Sequence, residues 1–526
     1  MMMKKEWLER ALSAAIIFVL AAIPILITRF PPSTDLPQHI AQVRLALESL
    51  RDPAGPYVIQ WGAPNTLIYF FIYLFWKFFS LEILGKAILI FIVFLWVFSI
   101  FFLAGKRIRS LDMAVLASLL VFNHVFYWGF LNFLIGFPVF TAWFLLTIRK
   151  EHKPAWQTYV FLILTSFLLY GSHALWFAAG AAWLFLISLI NKMPLKFFFL
   201  RMATLIPGGI LSLFWFRGFS SFQATASFDK APEWGTRPFE KFFSSWFLDA
   251  SFGGIRGISE TLFFFFLLVW GALSLWQHRK DLKSRVDFEL MAASGFFFVI
   301  AFFSPGKMMN TIFLSSRWFP ICIMMLLLSL PAPNMNKAIR RIISFTVAAA
   351  FFLVTTLTWV KYEKNELTGL SDSLAKIPYS SRILGLDFVK VSRFIKYRPF
   401  LQMVAYAQVF KGVELNFSFA EHSTGLVAYR TKRNVPWTHK LEWFAESVKK
   451  ADLQYFDYVL VNGNPYHHQY RLPRQDLSVV TDTGRWRLYK VNIKPKVDDS
   501  GSVNKYKKPG LEGRSYLTAG RNKRAN

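Results

Sequence analysis

The sequence predicts a polytopic α-helical membrane protein of about eleven transmembrane helices, followed by a small α/β domain outside the membrane. Three observations carry this. Apolar runs of near-span length recur as far as residue 360, Lys and Arg collect in alternate loops, and the composition turns polar after residue 360. The 526 residues are 54% hydrophobic and 18% aromatic, with 59 Phe and 19 Trp, and only 17% are charged. An ordinary soluble domain carries about 25% charged residues. A disordered chain, a coiled coil and a small disulfide scaffold are thereby excluded.

A crossing helix needs about 20 mostly apolar residues, within a range of about 17 to 25. Runs that reach or approach this lie at 11–29, 84–104, 112–130, 133–148, 157–172, 174–190, 197–216, 259–276, 288–304, 312–330 and 341–360. The first follows Lys4, Lys5 and Arg10 and reads as a signal anchor, because no small-residue cleavage site follows it. A further stretch, PNTLIYFFIYLFWKFF at 64–79, is short and aromatic and contains Lys77.

Loop charge decides its treatment. If it lies at the interface or re-enters, segments 1–10, 105–110, 149–156, 191–201, 277–287 and 331–341 are cytoplasmic, with 3, 3, 3, 3, 4 and 3 Lys or Arg. That is the positive-inside pattern. If it crossed, KRIR, RKEHK and QHRKDLKSR would face outward. The N-terminus is then cytoplasmic and three regions lie outside: the loop 30–83, the stretch 217–258 and everything after 360. Within the second, EWGTRPFEKFFSSWF mixes aromatics with charge and predicts a helix lying in the headgroup layer.

Lys and Arg number 60 against 31 Asp and Glu, a net charge of +29. No nucleic-acid recognition module is present, so anionic membrane lipid is the partner this charge predicts. The single cysteine, Cys322, offers neither an intramolecular disulfide nor a zinc site. There is no Walker loop and no Gly-x-Ser-x-Gly elbow.

The chain divides into a membrane module at 1–360, a domain at 361–493 and a basic tail at 494–526. RILGLDFVKV, FDYVLVNG and LSVVTDTGRWRLYKV predict strands, the last with a hairpin at TDTGRW. FLQMVAYAQVFKG has a helical apolar pattern that ends at Gly412. The tail holds nine Lys or Arg, and its composition predicts disorder.

Candidate chemistry begins in the first outer loop, RFPPSTDLPQHIAQVRLALESL. Its prolines lead into an amphipathic helix starting near Asp35 or Leu36. Asp35 can cap that helix or act as a base. His39, four residues on, shares its face, so the two suit a general-base pair or half of a metal site. Asn132 and His173 stand at later outer turns, and His124 lies near the end of its run. Ionisable groups at such depths are expensive and often functional. Lys307 and Arg317, in SPGKMMNTIFLSSRWFP, are basic on the outer side. An anion such as a phosphate explains that placement, since Arg binds phosphate in a fork geometry. Headgroup contact or snorkelling is the ordinary alternative.

A span followed by an outer loop with an acidic residue in a short amphipathic helix resembles the GT-C superfamily of membrane glycosyltransferases, which includes protein mannosyltransferases and aminoarabinose transferases. The stretch at 64–79 is similar to the family's proline-led motif, with Pro64, Leu67 and Tyr69 in register and Lys86 where an Arg often follows. The resemblance covers roughly 1–360. It implies Asp35 as catalytic base, with a basic residue late in the bundle, Arg317 or Lys307, holding a donor phosphate. Where many members carry a second acidic residue, this sequence has Asn132. A two-carboxylate metal site is therefore not supported, and the cofactor is left unknown. Asn132 and His173 remain as sugar-binding candidates.

These readings lead to an expected function. A sugar passes from a polyprenyl-phosphate donor to an acceptor at the extracytoplasmic face, in a bacterial cytoplasmic membrane. A transporter or lipid flippase, or a non-catalytic relative, is the alternative.

Overall fold

The computed structural model describes residues 2–149, 155–223, 231–308, 311–422, 425–431, 433, 435–464 and 472–493. The basic tail 494–526 and most of RKEHK lie outside the described residues. In chain order the helices are α1 (Met2–Ile27), α2 (Leu36–Arg51), α3 (Leu67–Trp76), α4 (Leu81–Lys106), α5 (Leu111–Ala117), α6 (His124–Trp128), α7 (Leu131–Thr147), α8 (Trp156–Ser172), α9 (Ala174–Ile190), α10 (Leu195–Ala203), α11 (Ile206–Gln223), α12 (Trp246–Ser251), α13 (Ser259–Gln277), α14 (Leu282–Arg285), α15 (Phe288–Phe303), α16 (Phe319–Ser329), α17 (Lys337–Glu366), α18 (Leu370–Lys376) and α19 (Ala405–Lys411). The strands are β1 (Tyr57–Ile59), β2 (Lys307–Met308), β3 (Thr311–Ile312), β4 (Arg382–Asp387), β5 (Glu414–Leu415), β6 (Val427–Tyr429), β7 (Tyr458–Asn462), β8 (Leu477–Thr481) and β9 (Trp486–Val491).

The chain is a helical membrane protein. Each apolar run of the sequence falls largely on helix. Among the described residues five segments are long and apolar enough to cross a membrane, or six if the α10–α11 pair, bent by 45°, counts as one. The ten residues of α3 span about 15 Å at 1.5 Å per residue. That is half of a hydrocarbon core about 30 Å thick, so α3 does not cross by itself.

Buried tryptophans fasten the bundle at a point where backbone bonding fails. Pro138 lies inside α7 and has no N–H for the carbonyl four residues back. That carbonyl belongs to Leu134, and the Trp96 indole of α4 supplies the missing donor at 2.7 Å. Nearby, Trp176 Nε1 donates to the Phe133 carbonyl at 2.7 Å and Trp143 Nε1 to Gly180 at 2.9 Å. Gly136 makes this approach feasible, since a Cβ there would fall 2.0 Å from the Trp176 ring.

Charged helix ends gather by face. At one end Arg341 pairs with Glu9, Arg107 with Asp287 at 2.7 Å and Glu289 at 2.8 Å, and Arg340 with Asp112 at 3.6 Å. These residues come from the basic segments 1–10, 105–110, 277–287 and 331–341 or the adjoining helix starts. The opposite end carries the first outer loop and the C-terminal sheet.

That sheet has five strands in the order β5-β4-β7-β9-β8. β4 runs parallel to β5 and β7, and β9 antiparallel to β7 and β8. The TDTGRW turn closes the β8–β9 hairpin, and α19 ends at Gly412 in the left-handed region, with φ of 61°. Glu366, at the end of α17, joins bundle to sheet. Its carboxylate accepts from Ser392 Oγ and the Arg393 amide and pairs with Arg485 at 3.3 Å.

The first outer loop is built into the C-terminal region. β1 pairs with β6. From α2, Gln42 accepts from the Val427 amide at 2.8 Å, and Arg44 donates to the Val409 carbonyl at 2.8 Å. Sequence alone separates the two regions.

The headgroup-layer helix expected over EWGTRPFEKFFSSWF is not one helix. Glu233 sits in a β-bridge with Lys307, a 3₁₀ turn covers Phe239–Phe243, and α12 starts at Trp246. Pro238 and the Ser244–Ser245 pair interrupt it. Phe239, Phe242 and Phe243 remain outward, with Phe243 93% exposed, while Trp246 and Phe247 pack on Phe319.

Trp96→Phe keeps the apolar ring and removes the donor to Leu134. A buried acceptor left without a partner costs about 1–3 kcal/mol. Thermal unfolding of detergent-solubilised protein is expected to show a lower midpoint than wild type.

Candidate active site

The short helix α6 begins at Asn123, whose Oδ1 accepts from the Val125 and Phe126 amides at 2.8 and 3.1 Å. It ends at Gly129, with φ of 75°. Its last carbonyls lack intrahelical partners, as at any helix C-terminus. The first outer loop supplies them. Thr34 N–H donates to the Tyr127 carbonyl and Asp35 N–H to that of Trp128, each at 3.0 Å, while Ser33 Oγ reaches Phe126 at 3.1 Å. A side chain at 129 would block this seam, because its Cβ would lie 2.6 Å from the Asp35 nitrogen and 2.9 Å from Ser33 Oγ.

Asp35 therefore occupies the N-cap position of α2, yet its side chain makes no capping hydrogen bond. Its carboxylate has no hydrogen-bond or ion-pair partner among the described residues. The residue keeps a partly exposed surface, but protein encloses it closely. Burial raises its carboxyl from the ordinary 3.8 to about 8, with the charge of Arg317 opposing the rise.

Arg317 is 5% exposed. Its Nε and one terminal nitrogen donate to the Ile312 carbonyl at 3.2 and 2.8 Å. The guanidinium lies 3.8 Å from the centre of the Phe130 ring. It makes no ion pair among the described residues, although it and Asp35 each act on the other's charge. A buried cation without a bonded counter-ion is costly. The cation–π contact recovers part of that cost.

His39, Tyr69 and Asn132 are linked in a row beside α2. His39 Nδ1 lies 3.0 Å from the Tyr69 hydroxyl, and its ring also bonds the Gly129 carbonyl. Burial lowers His39 to about 4, so it is neutral. The carbonyl can only accept, so one ring nitrogen carries the proton and the other takes the tyrosine O–H. Tyr69 in turn lies beside the Asn132 side chain and within the field of Asp35. Asn132 Oδ1 is buried without a partner among the described residues. His39 does not bond the Asp35 carboxylate; it positions Tyr69 instead.

His173 caps α9, its Nδ1 accepting from the Leu175 amide at 3.1 Å. Its Nε2 therefore bears the hydrogen, and the ring lies against Phe133 and within the field of Arg317. Lys307 is placed otherwise. Its ammonium pairs with Glu233, its backbone bridges the same residue, and among the described residues no contact links it to Asp35.

Sequence reading underrated two residues. Both ring nitrogens of His124 are buried without a partner among the described residues, and so is Trp128 Nε1. His124 lies within the field of Arg317 and packs on Phe313, which also touches Trp128. Each buried polar group left unpaired costs about 1–3 kcal/mol. Buried polar groups are normally bonded, so this concentration makes the region a candidate site. Only the HxxxW spacing on one turn of helix was available as a signal.

Among the described residues no group of three or more His, Cys, Asp or Glu could hold a metal ion. Asp35 offers a divalent cation one hard ligand beside a repelling guanidinium, which fits a metal poorly.

No family model matches the chain, and no curated protein does. Among solved structures, the single-particle cryo-EM structure of arabinofuranosyltransferase AftD from mycobacteria is similar over 94% of this chain, at 12% identity and a TM-score of 0.47. The similarity covers 40% of that chain.

The raised Asp35 carboxyl has a consequence for stability. The unfolded chain releases this proton near 3.8 and the folded chain near 8, so ionisation increasingly opposes folding as pH rises between the two. Asp35→Asn is expected to raise the unfolding midpoint relative to wild type. The gap opens above pH 4 and levels off above pH 8, as melting curves across that range would show.

Proposed function

We propose that the chain is a membrane glycosyltransferase of GT-C type. It moves a sugar from a polyprenyl-phosphate donor to an acceptor hydroxyl or amine at the extracytoplasmic face, with eleven crossings and a cytoplasmic N-terminus. The observation that carries this reading is the unpartnered carboxylate of Asp35 set against the buried guanidinium of Arg317. The clustering of the basic segments at the far end of the bundle supports the orientation.

Asp35 takes the proton of the acceptor O–H or N–H as the freed electron pair attacks the anomeric carbon. The bond from that carbon to the phosphate oxygen breaks, and its electrons leave with the phosphate. Arg317 stabilises the charge that develops there. Attack from the opposite face inverts the anomeric centre. A carboxylate whose proton affinity lies near neutrality is a stronger base than an ordinary aspartate, and a base poised near working pH is effective. Asn132, His173 and His124 surround the donor as hydrogen-bonding groups, and Tyr69 is held in place by His39. Lys307, engaged by Glu233, is the weaker candidate for the phosphate.

The test is transfer of radiolabelled sugar from a polyprenyl-phosphate donor by purified protein. Asp35→Asn is expected to lose about 10²–10⁴-fold, the usual contribution of a general base. Equal transfer by variant and wild type removes Asp35 as the base. Translocation of the lipid across vesicles without bond formation favours a flippase.

Activity rises with pH as Asp35 ionises, with a midpoint near 8. Arg317→Met removes the charge that favours ionisation, so its rate falls about 10²–10³-fold and its pH midpoint moves upward. A midpoint unmoved by the substitution separates the two residues.

A further inference from the structure

Between β4 and α19 the chain leaves the C-terminal sheet and runs back onto the outer end of the bundle, where it is tied at several points. The Arg256 amide donates to the Phe394 carbonyl and the Lys396 amide to that of Gly254, each at 2.8 Å. The Lys396 ammonium lies between the carboxylates of Asp249, at 2.8 Å, and Glu260, at 3.1 Å. Glu260 is itself fixed by the Gly254 and Ile255 amides, at 2.8 and 2.6 Å. Two residues after Lys396, the Arg398 carbonyl accepts from Thr34 Oγ1 at 3.4 Å, next in sequence to Asp35.

Tyr397 sits between these ties with a φ of 61°. A tyrosine enters the left-handed region only under strain, and such strain persists where the surroundings over-determine it. Here the ties set the backbone and the ring is pressed onto α6. Its centre lies 4.8 Å from that of His124, nearly perpendicular at 78°, and 5.6 Å from that of Trp128. Phe313 completes the group, 4.9 Å from His124, 4.6 Å from Trp128 and 5.9 Å from Tyr397. Its φ of 54° is also left-handed, and its carbonyl accepts from the Arg317 amide at 3.3 Å. The group is thus fastened both to the C-terminal region and to the residue that carries the buried guanidinium.

Neither nitrogen of His124 nor Trp128 Nε1 has a partner among the described residues, so no side-chain hydrogen bond orients either ring. Packing orients them, and Tyr397 and Phe313 each touch both. Edge-to-face contacts of this kind have a preferred geometry and resist rotation of the rings. The Tyr397 hydroxyl lies against Gly253, where a Cβ would fall 3.2 Å from it. It makes no hydrogen bond among the described residues, so the ring carries the contact. We infer that Tyr397 is a positioning residue of the donor site: its ring holds the His124 imidazole and the Trp128 indole at the angles at which their nitrogens meet the donor beside Arg317. This rests on the transferase reading. It makes a segment beyond the last membrane helix, α17, necessary for use of the donor.

The test uses the full chain in nanodiscs, with sugar transfer and with calorimetric titration of farnesyl phosphate, an isoprenyl monophosphate. Tyr397→Gly removes the ring and suits a left-handed backbone, so the loop keeps its path. It is expected to raise the donor KM and weaken farnesyl phosphate about tenfold each, as loss of one hydrogen bond would, with the acceptor KM unchanged. Tyr397→Phe, which keeps the ring, restores both values. Tyr397→Leu fills the space without a flat ring and gives the same result as Tyr397→Gly, which covers a failure of the glycine variant to fold. Wild-type donor KM and binding in the ring-less variants overturn the inference. So does a loss of kcat with both KM values unchanged, the mark of a merely structural role, or a loss in Tyr397→Phe as large as in Tyr397→Gly. Farnesyl phosphate binding that depends on the ring, in a wild type that transfers no sugar, overturns the transferase reading and leaves the positioning role standing. Transfer that is indifferent to the ring does the reverse.

Discussion

Two backbone hydrogen bonds govern the outer end of this molecule: Thr34 N–H to Tyr127 and Asp35 N–H to Trp128. They satisfy carbonyls that a short helix leaves open, and only a glycine at 129 leaves room for them. Through them the first outer loop takes its height, and Asp35 takes its place opposite Arg317. His39 reinforces the same seam from α2 by bonding the Gly129 carbonyl. Without this junction the carboxylate and the guanidinium, 282 positions apart in sequence (317 − 35), would have no common frame.

The polar groups around that junction are poorly served by the protein itself. Asp35, Asn132 Oδ1, both nitrogens of His124 and Trp128 Nε1 lack partners among the described residues. Some similar demands in the bundle are met, though Tyr159, Trp270 and Tyr362 also keep buried polar atoms without a hydrogen-bond partner among the described residues. Asn123 satisfies two amides, and Trp96 repairs the gap left by Pro138.

Much of the architecture was legible because continuous apolar runs in a membrane must be helical. The β8–β9 hairpin and the Gly412 helix end were legible for a related reason, since each rests on local turn chemistry. The start of α2 was readable, but not the idleness of the Asp35 side chain at its cap. Pairings formed between distant segments left no mark: β1 with β6, Lys307 with Glu233, Tyr69 with His39. The stretch at 233–247 misled because aromatic and charged residues alternate there much as they do on an interfacial helix, while Pro238 and the serine pair set the real breaks.

The sharing of β1, α2 and β6 between loop and sheet also bears on modularity. The C-terminal region is not a detachable cartridge. Its fourth-quarter strand at 427–429 is completed by residues 57–59, and Gln42 is stitched to the same strand. Evolution, or an engineer building chimeras, cannot trade one half for a counterpart from elsewhere without carrying the other along. The fold of the outer region and the position of Asp35 are thus inherited as a single unit.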